Sequence, residues 1–177
     1  MGRRPQWTAV DSGDAERSEL VKTLDKHRGF LRHTLRDLTD EQARLRTTVS
    51  ELCLGGIVKH VTRMEERWIA FIEQGPSVIG GMDERSMKEH AGSFTMLPGD
   101  TVDDLLSRYK QVADRTDALI RGLPSLNDSQ PLPEAPWFEK TRWSARRVIL
   151  HILAETAQHA GHADIIREVI DGAKTMG

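Results

Sequence analysis

The sequence contains one cysteine, Cys53. That excludes an internal disulfide and a cage of cysteine thiolates around zinc, so any metal held here is held by imidazoles and carboxylates. Long apolar runs are also missing. They reach only a few residues, as in Val148-Ile149-Leu150, where a membrane-spanning helix needs roughly 20. No charge of either sign dominates. The 25 basic and 27 acidic side chains leave a formal net charge of -2, which gives no electrostatic case for nucleic acid or for an anionic membrane. Arg3-Arg4 is not followed by an apolar stretch, so the start does not read as a secretion signal, and Gln6 spoils the myristoylation pattern. A cytoplasmic location is the expectation. Several motifs are absent too: the Glu-x-x-His of di-iron bundles, His-Glu-x-x-His, a P-loop, and Gly-x-Ser-x-Gly. No convincing period-two run or Asn-Gly hairpin marks a strand.

What is present is helical periodicity. At 177 residues, with 38% hydrophobic and 29% charged side chains, the chain has the balance of one ordinary globular domain with a real core. Four segments carry apolar residues three or four apart. They cover about 14–38, 52–73, 101–121 and 144–170. Leu20, Leu24, His27, Leu31, Leu35 and Leu38 make the first stripe; Ile57, Val61, Met64, Trp68 and Phe71 make the second; Leu105, Tyr109, Val112, Thr116 and Leu119 belong to the third. Asp100 or Thr101 and Ser144 stand where N-caps are needed, and Gly75, Gly122 and Gly172 where helices stop. Four such helices satisfy their stripes as an all-α four-helix bundle. The joins after the second and third helices are long enough for crossover connections. Residues 76–99 and 124–143 are therefore also candidate lids or ligand-facing loops.

The fourth segment carries the chemistry. Steps of four and three along it read Val148, Ile152, Glu155, His159, His162, Ile166, Val169. Its ends are aliphatic and its middle is ionisable. Buried ionisable groups are costly unless paired or bound to metal. Glu155 and His159, four apart, project from adjacent turns and can grip one ion. His60 lies beside the apolar stripe of the second helix, where a bundle can bring it opposite them. Two imidazoles and a carboxylate form a familiar divalent site with an open position for water or substrate. Zinc suits the set; nickel, iron and manganese stay open. The competing reading is an intrahelical Glu155–His159 ion pair with His60 as an ordinary core histidine. His162 competes with Glu155 as third ligand, or supports the site from outside, or touches substrate. His33, His90 and His151 read as surface or loop residues.

These residues resemble a known family. Leu54-Gly55-Gly56-Ile57-Val58-Lys59-His60, running on to Glu65 and Trp68, resembles the second helix of DinB-like proteins. Glu155-Thr156-Ala157-Gln158-His159-Ala160-Gly161-His162-Ala163-Asp164 resembles their last, and Asp37 to Gln42 fits as well. The resemblance spans nearly the whole chain. It implies a DinB-like four-helix bundle of unusual helix order. Many members bind zinc or another divalent ion through one His on the second helix and a His-x-x-x-His pair on the last. Glu155 departs from that pair. A His, Glu, His set is similar to the mycothiol-dependent maleylpyruvate isomerase branch. The wording of the last helix looks most like an actinobacterial subfamily that includes mycothiol S-transferases.

The implied chemistry is that of a thiol held as thiolate on a divalent metal, attacking an electrophile to give S-transfer, or adding and leaving to give isomerisation. Cys53 reads as a small buried residue, so the thiol is expected to be an external small molecule, mycothiol first. Arg63 and Trp68, with His162, are candidates for substrate contact or outer support. Arg67, Arg142, Arg146 and Arg147 fit either an acidic or sugar-bearing ligand or a solvated helix face. Trp137, Phe138 and Trp143 fit either a pocket mouth or the core. The resemblance also implies a homodimer. The rival function is a non-catalytic stress-response protein that binds a metal or small ligand without turnover.

Overall fold

The computed structural model of the chain describes residues 12–79, 92–133 and 140–175. Four long helices dominate it: α1 (Ser12–His33), α3 (Leu54–Gln74), α4 (Val102–Gly122) and α5 (Ala145–Asp171). A short helix, α2 (Asp40–Arg44), joins α1 to α3. A 3-10 turn (Pro76–Ile79) follows α3. Two three-residue strands, β1 (Ser129–Pro131) and β2 (Arg142–Ser144), pair antiparallel before α5. No described helix is long and apolar enough to cross a membrane.

The caps are those the sequence advertises. Thr101 accepts a hydrogen bond from Asp104 N–H, and Ser144 accepts one from Arg147 N–H. Gly172 closes α5 in the left-handed conformation at φ 78°, which glycine adopts without a Cβ penalty. The first helix is shorter than its stripe suggests. It stops at His33, and Asp37 then turns the chain at φ 60°, a conformation short polar side chains tolerate. Arg167 of α5 reaches into this turn and donates to the carbonyls of Thr34 (2.9 Å) and Arg36 (2.7 Å).

Pairings between helices define the topology. Arg108 and Arg115 of α4 meet Glu66 and Glu73 of α3 in increasing order, so these two helices run parallel. Glu16–Arg146 and Thr34–Arg167 make α1 parallel to α5. Arg17–Leu123 and Arg28–Asp117 make α1 antiparallel to α4. Each long helix packs on two others, α1 on α5 and α4, and α3 on α4 and α5. The helices joined by α2, α1 and α3, are thus diagonal, and the α3–α4 link must return along the bundle. This is the crossover arrangement expected of a DinB-like bundle. Across the diagonal, Arg28 and Glu65 meet in a salt bridge with neither side chain exposed, and Asp117 takes the remaining guanidinium nitrogen, Nη1, at 2.8 Å. Apolar packing fills the bundle around this bridge. One cluster includes Leu31, Ile57, Val61 and Ile166, the other Leu24, Ile69, Ile120 and Ile152.

Candidate metal centre

His60 sits in the second turn of α3, and Glu155 and His159 sit mid-way along α5. The two helices are neighbours, and their buried faces bring the three side chains together. One ligand atom from each lies within 4.8 Å of those of the other two. His159 Nε2 and Glu155 Oε2 are 3.7 Å apart. Two ligands of one tetrahedral zinc, each about 2.1 Å from the ion, stand about 3.4 Å apart. The α5 pair is therefore close to a binding geometry already. The rings of His60 and His159 meet edge to face at 5.0 Å.

Burial and charge set the protonation of the cluster. Burial pushes the His159 pKa below its usual value; the Glu155 carboxylate opposes this and His162 adds to it. A neutral imidazole is the form that binds metal. His60 and His159 are both buried, while Glu155 is half-buried. His162 is outside this trio. Its Nδ1 is 3.5 Å from His159 Nδ1, the ring nitrogen opposite the Nε2 that faces Glu155.

Outer contacts include residues that sequence reasoning passed over. Ser93 Oγ lies 2.9 Å from His60 Nδ1, and Phe94 stacks on the His60 ring at 3.7 Å. Both belong to the 76–99 stretch, a candidate lid or ligand-facing loop by its length, but nothing in their spacing singles them out. Trp68 is buried and stacks on Trp143 at 5.0 Å. His151 is not a surface residue. It is half-buried, edge-on to Trp68 at 4.9 Å and to Trp143 at 5.2 Å. Burial lowers its pKa, against the pull of Glu155 one turn away. The two tryptophans come from α3 and β2, so only the tertiary fold covers it. Trp143 also lines a cavity of about 210 Å3 with Phe71, Leu123, Gln130 and Val148. Arg63 lies one turn beyond His60 and is half-buried.

The arginines proposed for ligand charge are largely engaged elsewhere. Arg67 donates to the Ile79 carbonyl at 2.7 Å, and Arg146 pairs with Glu16 at 2.6 Å. Arg142 bonds Ser129 across the hairpin, and Arg147 lies over the Trp143 ring. Cys53 is 3% exposed and packs in the core. His90, Trp137 and Phe138 lie outside the described residues.

A crossover four-helix bundle with a His-Glu-His cluster between its second and last long helices agrees with the DinB-like resemblance of the sequence. The family model for mycothiol S-transferase matches residues 19–172, and the chain belongs to that family. No curated protein matches the chain.

Proposed function

We propose that the protein is a divalent-metal-dependent thiol S-transferase, with the cation held by His60, Glu155 and His159 and mycothiol as the thiol. The observation that carries this reading is the convergence of three donor atoms within 4.8 Å in a chain of the mycothiol S-transferase family. The donor set fits the group: two imidazoles and one carboxylate satisfy three positions of a catalytic divalent site and leave one for substrate. Zinc suits these donors best; nickel, iron and manganese are accommodated by the same set. Held by these three residues, a divalent cation would supply Lewis acidity that favours the thiolate form of a thiol near neutral pH. Glu155 offsets one of the two metal charges. Burial of His159 keeps its imidazole unprotonated, and His162 orients that ring from behind. The thiol comes from outside, because Cys53 is packed in the core. The thiolate sulfur bonds the electrophile either by displacing a leaving group, which departs with its bonding pair, or by adding to an activated double bond, whose other end takes a proton from water.

The test is metal content and turnover in one set of proteins. Wild type, His60→Ala, Glu155→Ala and His162→Ala are assayed for bound metal. The wild type is then assayed for consumption of mycothiol with a model electrophile, with glutathione as control. The expected result is loss of metal in the first two variants, retention in His162→Ala, and turnover with mycothiol. Full occupancy in Glu155→Ala with loss in His162→Ala would exchange their roles. Tight metal binding without thiol turnover would make the protein a binding member of its family rather than a transferase.

A further inference from the structure

The ring of His60 is held on two sides by consecutive residues of the α3–α4 link. Ser93, 2% exposed, places its hydroxyl 2.9 Å from Nδ1. Phe94 covers the ring face, with centroids 3.7 Å apart and planes within 16°. The same phenyl ring is 5.7 Å from His159, so it touches both imidazoles of the cluster. The link reaches this depth because α3 carries no side chain at Gly56. A Cβ there would fall 1.8 Å from the Phe94 carbonyl oxygen, a backbone atom that can clear it only if the whole strap lifts. Beyond Phe94 the strap is pinned by Lys59, whose ammonium reaches the Thr95 carbonyl (3.4 Å) and the Asp100 carboxylate (2.7 Å).

We propose that Ser93 and Phe94 are positioning residues that preset His60 for metal uptake, with Gly56 as the seat that lets them reach it. A neutral imidazole binds metal only through the nitrogen without a proton. With Ser93 Oγ accepting a hydrogen bond from Nδ1–H, the proton stays on Nδ1 and the Nε2 lone pair is the one offered to the cation. Phe94 stops the ring from swinging out of that orientation. This inference rests on the proposed role of His60 as a ligand.

The experiment is a competition titration with Zn2+ against a chromogenic chelator. It uses wild type, Ser93→Ala, Ser93→Thr, Gly56→Ala and the double variant Gly56→Ala/Ser93→Ala. Far-UV circular dichroism on the same samples monitors helix content. Losing an outer hydrogen bond to a metal-ligating histidine weakens binding about 10–100-fold, so Ser93→Ala is expected to fall in that range with its helices intact. Ser93→Thr keeps a hydroxyl and is expected to restore most of the affinity. Gly56→Ala is expected to lose at least as much as Ser93→Ala, and the double variant no more than Gly56→Ala, because both act through one contact. In the metal-free protein, 15N spectra of the histidines should show His60 protonated on Nδ1, and Ser93→Ala should lose that preference. Equal Zn2+ affinity in wild type and Ser93→Ala overturns the clamp and leaves the metal centre standing. Additive losses in the double variant overturn the Gly56 seat. A wild type that binds no Zn2+ removes the metal centre itself, and the clamp with it.

Discussion

Replacing Glu65 by Gln tests how the two diagonal helices are tied. Glu65 and Arg28 are both fully buried, and the carboxylate takes two guanidinium nitrogens, Nε at 3.3 Å and Nη2. Burial alone would lower the Arg28 pKa, but Glu65 and then Asp117 outweigh it and raise it. Glutamine keeps the shape and loses the charge. One of its two terminal atoms becomes an N–H donor facing a donor. Breaking a buried pair by neutralising one partner costs about 3–5 kcal/mol. Asp117 still neutralises part of the Arg28 charge, which puts Glu65→Gln at the lower end, about 3 kcal/mol. At about 2–4 °C per kcal/mol for a protein of this size, Tm should fall by about 6–12 °C. The double variant Arg28→Met/Glu65→Leu replaces both charges with apolar groups of similar volume. It should recover most of the loss, because Asp117, 20% exposed and 3.6 Å from Arg121, keeps solvent and a second partner. Urea unfolding of the three proteins gives the comparison. A cost below about 1 kcal/mol for Glu65→Gln, or a double variant as unstable as the single, refutes the reasoning.

The remaining predictions concern single groups. Tyr109 is the only tyrosine. It is fully buried, and burial, helped by the charge of Glu65, raises its pKa well beyond the usual value of 10.0. A group whose pKa is raised by folding contributes stability below its unfolded pKa and loses it as pH rises through the folded one. Phenolate absorbance should therefore appear only together with loss of helical dichroism in an alkaline titration; half the signal near pH 10 in a folded protein contradicts this. The Asp100 carboxyl is raised by burial but lowered more by Lys59 and the Leu97 N–H, leaving it below the carboxylate range. Its contribution is present above the unfolded value and fades as pH falls through the folded one. Asp100→Asn should then narrow the stability gap between pH 7 and pH 3, and an unchanged gap counts against the pairing. Ser144→Ala removes the N-cap of α5 and should cost about 1 kcal/mol while leaving Zn2+ affinity well short of the roughly tenfold loss that removal of an outer contact to a ligand brings. A large drop in affinity would mean that the start of α5 sets the ligand geometry.

Much of the fold was legible because helices write their faces into spacing. Caps at Thr101 and Ser144 and the stop at Gly172 fall where side-chain chemistry puts them. The end of α1 was not legible. Leu35 is buried and Leu38 half-buried, so the apolar steps continue through a turn that has already left the helix. His60, Glu155 and His159 could be proposed as a set because each lies on or beside an apolar stripe. The Arg28–Glu65 bridge leaves a similar trace that went unused. Arg28 stands between Leu24 and Leu31, and Glu65 between Val61 and Trp68, in each case in register with the buried stripe. Opposite charges in register on two helices are a signal for a buried pair. Ser93 and Phe94 leave no such trace, because a loop has no period.

Topology and site are connected through that loop. With α3 and α4 parallel, the chain leaving the end of α3 must return about 30 Å to start α4, given 21 helical residues at about 1.5 Å each. Its described last part, from Ser93 to Met96, runs beside the first turns of α3, where His60 stands and where Gly55 and Gly56 leave room. An up-down bundle would join the two helices by a short turn at the far end, and the His60 ring would have no strap over it. The long link is thus part of the site: it carries Ser93, whose hydroxyl lies 2.9 Å from His60 Nδ1. Lengthening or cutting it should weaken metal binding before it weakens the bundle, since the helices are held to one another by Arg28, Arg146 and Arg167 independently of it.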